Sequence, residues 1–263
     1  MSIPLGFCLS TVGVAPATLL AAAARLDDAG ADSLWVWDHL VSVGRDPLEP
    51  VLDGPALLSA LLVSTHQCQV GPLVMNMTNW HPARLALLGA TLARLGAGRF
   101  ALGIGGGGLA AEQLPFGVDQ GDRARRTQRV LEAVQLVPAL WRGAPVTFDG
   151  AVYRFDQAQL PALDGPPPLI IGARRPPMVR IAGQYADGVN LQWRDRAWLP
   201  ELFAALDAGL ASRQRDRRGF DCSIHAGWTQ FSTAPQALLE EWAQHGFNRA
   251  IISLDPPYPL DAA

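Results

Sequence analysis

Gly98-Arg99-Phe100-Ala101-Leu102-Gly103-Ile104-Gly105-Gly106-Gly107-Gly108 is the stretch on which the fold turns. Arg99–Ile104 has the length and apolarity of a fully buried strand, and it ends in four consecutive glycines. Helix-period segments flank it: Pro82–Leu95 before, and Arg123–Trp141 after, where Val130, Val134, Val137 and Leu140 form one apolar stripe. A buried strand between two such helices is the repeating unit of a parallel sheet with crossover helices. Outward from it, strands are expected at Leu5–Ser10, Ser33–Trp37, Gln69–Met75, Leu169–Gly172, Gly188–Leu191, within Asp221–Phe231 and at Arg249–Leu254. Helices are expected at Pro16–Ala29, stopped by Gly30, and at Pro55–Thr65, Pro177–Tyr185, Trp198–Arg213 and Pro235–His245. Asp149-Gly150 between two aromatic runs predicts a hairpin insertion, Val146–Phe155, before the fifth strand.

Eight strands and seven helices in 263 residues fit a TIM (β/α)8 barrel, which needs about 250. Only nine residues follow Leu254, with prolines at 256, 257 and 259, so the closing eighth helix is largely missing. Either the seam is left partly bare or a partner subunit covers it, and a homodimer is the expectation. No repeat, low-complexity tract or linker interrupts the chain, so one domain over residues 1–263 is expected.

Composition narrows the function. All 21 basic residues are arginines, which excludes Schiff-base chemistry on lysine and a P-loop. Net charge is −3, and the densest basic run, Arg213–Arg218, contains Asp216 and reads as a solvated helix end, so no nucleic-acid partner is expected. No apolar run approaches the ~20 residues of a membrane span. Met1–Phe7 carries no charge ahead of its apolar residues, so a signal peptide is not expected and a cytoplasmic location is. Cys8, Cys68 and Cys222 are far apart and odd in number, which gives no disulfide framework and no CxxC site. His66, His225 and His245 lack paired spacing, so no catalytic metal is expected.

Four segments carry a resemblance. They are Gly30–Leu40 (with Asp32-Ser33-Leu34-Trp35-Val36-Trp37-Asp38-His39), Gly71–Asn76 followed by His81-Pro82-Ala83 and Thr91-Leu92, Gly98–Gly107, and Pro167–Ala173 followed by Arg180–Asn190. In this order and spacing the chain resembles the bacterial-luciferase-like flavin and coenzyme F420-dependent oxidoreductases. The resemblance implies F420 as cofactor, with FMN the alternative, bound where the strands end. Its F420-dependent branch is the more similar, and the arginine- and alanine-rich composition agrees by association with a GC-rich genome.

The residues themselves supply the chemistry. Asp38-His39 follows the second strand, at the barrel end where active sites lie. Histidine titrates near neutrality and suits proton transfer; the resemblance places this pair beside the cofactor, with His39, helped by Asp38, as the proton-transfer group. The plainer alternative is that Asp38 caps a turn and His39 lines a wall. Leu73-Val74-Met75-Asn76 ends the third strand; the resemblance implies a bulge there with a non-proline cis peptide, at Leu73-Val74 or Val74-Met75, pressed on the cofactor ring. An ordinary strand end is the alternative. Gly105, Gly106, Gly107 and Gly108 let backbone approach a flat ligand. Some relatives of this kind carry a glutamate just after the glycine loop as an acid; this chain has Gly108, and its nearest carboxylate is Glu112, which speaks against a sugar-phosphate dehydrogenase mechanism. Gly172-Ala173-Arg174-Arg175 precedes a helix starting at proline, a natural phosphate seat, although two arginines stand where the resemblance implies glycines.

Phe7, Trp37, Trp80 and Trp228 are candidate walls of an apolar substrate pocket, Trp193 is a further strand-end aromatic, and Asn190 and Gln192 are candidate hydrogen-bonding groups. The expectation is a flavin-type oxidoreductase, F420-dependent hydride transfer to or from a small organic substrate, to which a separate reductase can supply reduced cofactor. A reduced-FMN-dependent monooxygenase, a non-catalytic flavin-binding protein and a barrel enzyme without flavin are the alternatives.

Overall fold

A computed structural model describes residues 3–43 and 46–260. The outermost residues of the expected domain, Met1, Ser2 and residues 261–263, lie outside the described residues. In chain order the elements are β1 (Leu5–Leu9), α1 (Pro16–Asp28), β2 (Ser33–Val36), α2 (Gly54–Ser64), β3 (Gln69–Pro72), β4 (Met75–Asn76), α3 (Pro82–Gly96), β5 (Leu102–Gly105) and α4 (Ala110–Gln113). Then come α5 (Arg123–Trp141), β6 (Val146–Asp149), β7 (Arg154–Ala158), β8 (Leu169–Gly172), α6 (Pro176–Tyr185), β9 (Gly188–Gln192) and α7 (Leu199–Ala211). The chain closes with β10 (Asp221–Gly227), α8 (Trp228–Phe231), α9 (Pro235–Gln244) and β11 (Arg249–Leu254).

Nine strands pair in parallel in the order β3-β2-β1-β11-β10-β9-β8-β5-β4. The two ends of that order are one strand in two pieces. β3 and β4 flank the Leu73–Val74 peptide, which is cis. The ring closes because Val70 bridges to Phe100 while Met75 and Asn76 pair with Ile104 and Gly105. The result is an eight-position barrel, as expected. The hairpin insertion is β6–β7, antiparallel, and the buried Glu132 of α5 fixes its tip by accepting from the N–H groups of Ala151, Val152 and Tyr153.

Side-chain alternation along each strand decides what faces the barrel axis. Cys8, Trp35, Leu73, Ala101, Ile170 and Ile251 form a compact inner cluster, with Trp37 and Val74 packed on it. Their strand neighbours, among them Phe7, Leu9, Leu34, Val36, Leu102, Ile104, Ile171, Val189 and Ile252, belong to the larger layer between strands and helices. Burial on both faces explains why the strands read as continuous apolar runs.

The seventh strand lies within the expected window: it runs to Gly227, and the chain then turns into α8, which buries Phe231. One expectation is corrected. No helix follows β11 among the described residues, yet the seam is not bare: Ala250, Ile252 and Leu254 are fully buried, and Tyr258 crosses back to donate from its hydroxyl to the Ser10 carbonyl at 2.8 Å. Among the described residues no helix is long and apolar enough to cross a membrane.

Candidate active site

One cavity of about 800 Å³ opens at the C-terminal ends of the strands, within the size range of small-molecule sites. A smaller cleft of about 370 Å³ lies around Pro166–Pro168 and Trp141; its carboxylate, Asp187, already accepts the Leu169 N–H at 2.9 Å. The chemistry is in the larger one.

The His39 Nδ1 lies 3.1 Å and 3.2 Å from the two carboxylate oxygens of Glu112, which also accepts the Leu40 N–H at 2.6 Å. Glu112 is 2% exposed and sits on α4, a single helical turn after the glycine loop. Burial pushes its carboxyl upward, but the hydrogen bonds from His39 and Leu40 outweigh that, and the group stays below the usual carboxylate range. An ionised Glu112 keeps the proton on Nδ1 and leaves Nε2 as the ring nitrogen able to take a proton. Trp37 meets the ring edge-on, with centroids 6.0 Å apart.

Asp38 does not help His39 by hydrogen bonding. Its Oδ2 accepts the Asn76 N–H at 2.9 Å and the Trp80 indole N–H at 2.8 Å, tying β2 to β4. Burial raises its pKa, and those two bonds offset this only in part.

Val74 and Asn76 account for much of the glycine loop. A Cβ on Gly105 would come within 2.5 Å of the Val74 side chain, and one on Gly172 within 2.9 Å. Gly107, at φ 66°, sits against the Asn76 amide. These glycines make room for the strand-3 bulge, whereas a Cβ on Gly108 would meet nothing within 4 Å. Gly106, Gly108 and Ala173 also line the cavity.

Of the residues singled out from sequence, the cavity gathers Trp37, Asp38, His39, Leu73, Val74, Asn76, all four glycines, Gly172, Ala173, Arg174, Arg175, Asn190 and Gln192. Phe7, Met75, Trp80 and Trp228 lie outside its lining. Phe7 and Met75 have the outward parity of their strands and are buried beneath the helices. Trp80 is held by Asp38, and Trp228 packs on Phe231 in α8. Trp193 is 3% exposed and packs edge-on to Trp242.

Sequence reasoning missed Glu112's partnership, His225, Ser253 and three arginines, Arg123, Arg126 and Arg194. Arg123 and Arg126 stand three apart at the start of α5, the spacing that puts two side chains on one helix face. Arg174 is engaged by Asp195 through two bonds of 2.7 Å and 2.8 Å, and the Arg175 guanidinium lies 4.5 Å from the Trp198 ring centre. Arg194 is pushed down by partial burial and by the Arg174 charge, so an anion at this rim would relieve crowded positive charge. Among the described residues no group of three or more His, Cys, Asp or Glu is placed to hold a metal.

The profile of the family described as luciferase-like monooxygenase matches residues 5–259. The chain belongs to the luciferase-like monooxygenase family. It is 34% identical over 228 residues to an F420-dependent glucose-6-phosphate dehydrogenase of Beutenbergia cavernae, covering 84% of this chain and 66% of that one. It is also 34% identical over 203 residues to an F420-dependent hydroxymycolic acid dehydrogenase of Mycobacterium tuberculosis, covering 75% and 55%. The chain thus spans two thirds or less of the length of these curated relatives. The fold matches an F420-dependent secondary alcohol dehydrogenase solved with an F420–acetone adduct, at TM-score 0.85 and 18% identity, over 100% of this chain and 96% of that one.

Proposed function

We propose that this member of the family is an F420-dependent oxidoreductase in which His39, oriented by Glu112, handles the proton of a small organic substrate. The carrying observation is the His39–Glu112 pair set in the wall of the glycine-rimmed cavity. The donor set suits a deazaflavin: an apolar floor of Leu73, Val74 and Met178, open backbone at Gly106–Gly108, and arginines at the rim for an anionic tail. When bound, the deazaflavin supplies the two-electron hydride donor or acceptor. The chain does the rest. Val74, and Asn76 held through its N–H by Asp38, would shape the surface that receives the ring, with Trp37 walling the cavity beside His39. For an alcohol, the hydroxyl proton passes to His39 Nε2 as the carbon loses its hydride; in reverse, the same atom returns the proton.

An anaerobic assay of F420 reduction across a panel of alcohols tests the reading. Turnover that depends on His39 supports it; oxygen consumption with reduced FMN and none with F420 would favour the monooxygenase alternative. Binding of either cofactor with no turnover would favour a non-catalytic carrier. With the proposal go one domain, a cytoplasmic location, a separate reductase supplying reduced cofactor and a homodimer, for which exposed Leu48, Leu114 and Phe116 offer apolar surface. Sedimentation as a monomer at all concentrations would remove the dimer.

A further inference from the structure

The side of the cavity formed by β9, β10 and β11 carries polar groups that the proton-transfer pair does not use. Alternation along these strands turns Gln192, His225 and Ser253 toward the axis, and register sets them side by side: His225 pairs with Gln192 across β9–β10, and Gly227 with Ser253 across β10–β11. His225 Nε2 lies 2.5 Å from the Ser253 hydroxyl. Among the described residues neither His225 Nδ1 nor the Gln192 amide has a hydrogen-bond partner, yet both belong to residues that line the cavity. Polar groups left unpaired in a half-enclosed pocket are positions for ligand atoms.

His225 differs from His39 in its surroundings. No carboxylate accepts from it, and Arg194 is its charged neighbour; burial first, then that charge, pushes it down to about 4. It is therefore a neutral hydrogen-bonding ring at working pH, flanked by a hydroxyl and an amide. All three groups can both donate and accept, which suits a hydroxyl or carbonyl oxygen.

We infer that Gln192, His225 and Ser253 form a second subsite that binds a non-reacting, uncharged oxygen of the substrate, so that preferred substrates carry a hydroxyl or carbonyl beyond the one that meets His39. This rests on the proposed assignment of the reacting oxygen to His39, and it names the substrate class: uncharged organic molecules with at least two oxygen functions. Arg194 does not change that class, because it is exposed at the mouth beside Arg174, whereas the three neutral groups sit at the strand ends.

The test uses the full chain, with and without F420, and three probes of one ring size: cyclohexanol, the cyclohexanediol regioisomers and cyclohexanecarboxylate. Binding is read from the His225 imidazole signals in proton–nitrogen NMR, and turnover from F420 reduction with the two alcohol classes. At least one diol is expected to bind about tenfold more tightly than cyclohexanol, the effect of one added neutral hydrogen bond in a desolvated site, with a saturable His225 shift. Ser253→Ala, a change small enough to keep the fold, and Gln192→Leu should each reduce that preference to twofold or less. Equal affinity for cyclohexanol and every diol, an undiminished preference in Ser253→Ala, or tighter binding of the carboxylate overturns the inference. Diol-induced His225 shifts without turnover of any alcohol would sink the oxidoreductase reading and leave the subsite standing.

Discussion

His39 and Asp38 are neighbours in sequence but serve different partners, and substitution separates them. His39→Ala should lower kcat by about 100-fold, the scale of a lost acid–base group, with F420 affinity changed less than threefold; stopped-flow turnover and fluorescence titration give the two numbers. Equal losses in both would make His39 a wall residue. Glu112→Gln should lower kcat on the order of tenfold or more, because a neutral amide no longer enforces the Nδ1–H form. The pH sign follows from the depressed carboxyl. Wild-type Glu112 stays ionised below the ordinary value of about 4.3, so orientation of His39 persists into mild acid and fails only as pH falls through the depressed pKa. For carbonyl reduction, the direction in which protonated His39 gives the proton, that acid limb of kcat should be absent in Glu112→Gln. Asp38-His39 was legible as a cavity-lining pair from its position after the second strand. Its true geometry was not, because the carboxylate that holds His39 arrives 73 residues later on a four-residue helix that no periodicity announces.

At the scale of the element, small residues and buried anchors decide how the site is held. A methyl at Gly105 would press on Val74, whose β-branched side chain has little rotamer freedom. Gly105→Ala is expected to cost about 1–3 kcal/mol, read from the urea midpoint, and an unchanged midpoint would show that the bulge can yield. On the barrel's other end, Asp27 of α1 accepts the N–H groups of His66, Gln67 and Cys68 and so fixes the entry to β3. Burial alone would raise its pKa; the three bonds override that and hold it at about 2. Asp27 therefore stabilises the fold fully above its unfolded value of about 3.9, and this contribution is lost as pH falls toward 2. Asp27→Ala should cost on the order of 2–4 kcal/mol at neutral pH, with a smaller difference from wild type in acid melts. Most elements were legible because their strands are buried on both faces and their helices carry clear stripes. For β10 only a window, Asp221–Phe231, was legible, because Trp228–Phe231 has strand-like composition although it forms a helical turn.

Across the whole molecule, alternation of side chains around a closed ring explains both the successes and the misses. Counting parity from Cys8 and Trp35 would have sent Phe7 outward and brought His225 and Ser253 inward, beside Asn190 and Gln192. Trp80, Trp193 and Trp228 lie just beyond strand ends, where parity no longer applies and loop geometry decides. The arginine rim was legible only at Arg174 and Arg175, since Arg123, Arg126 and Arg194 converge from elements far apart in sequence. The central claim is that this glycine-rimmed mouth holds a deazaflavin with its anionic tail on the arginines. Parallel titration with F420 and FMN measures it most directly: the account predicts saturable micromolar F420 binding, at least tenfold tighter than FMN, and tighter FMN binding or no binding of either would contradict it.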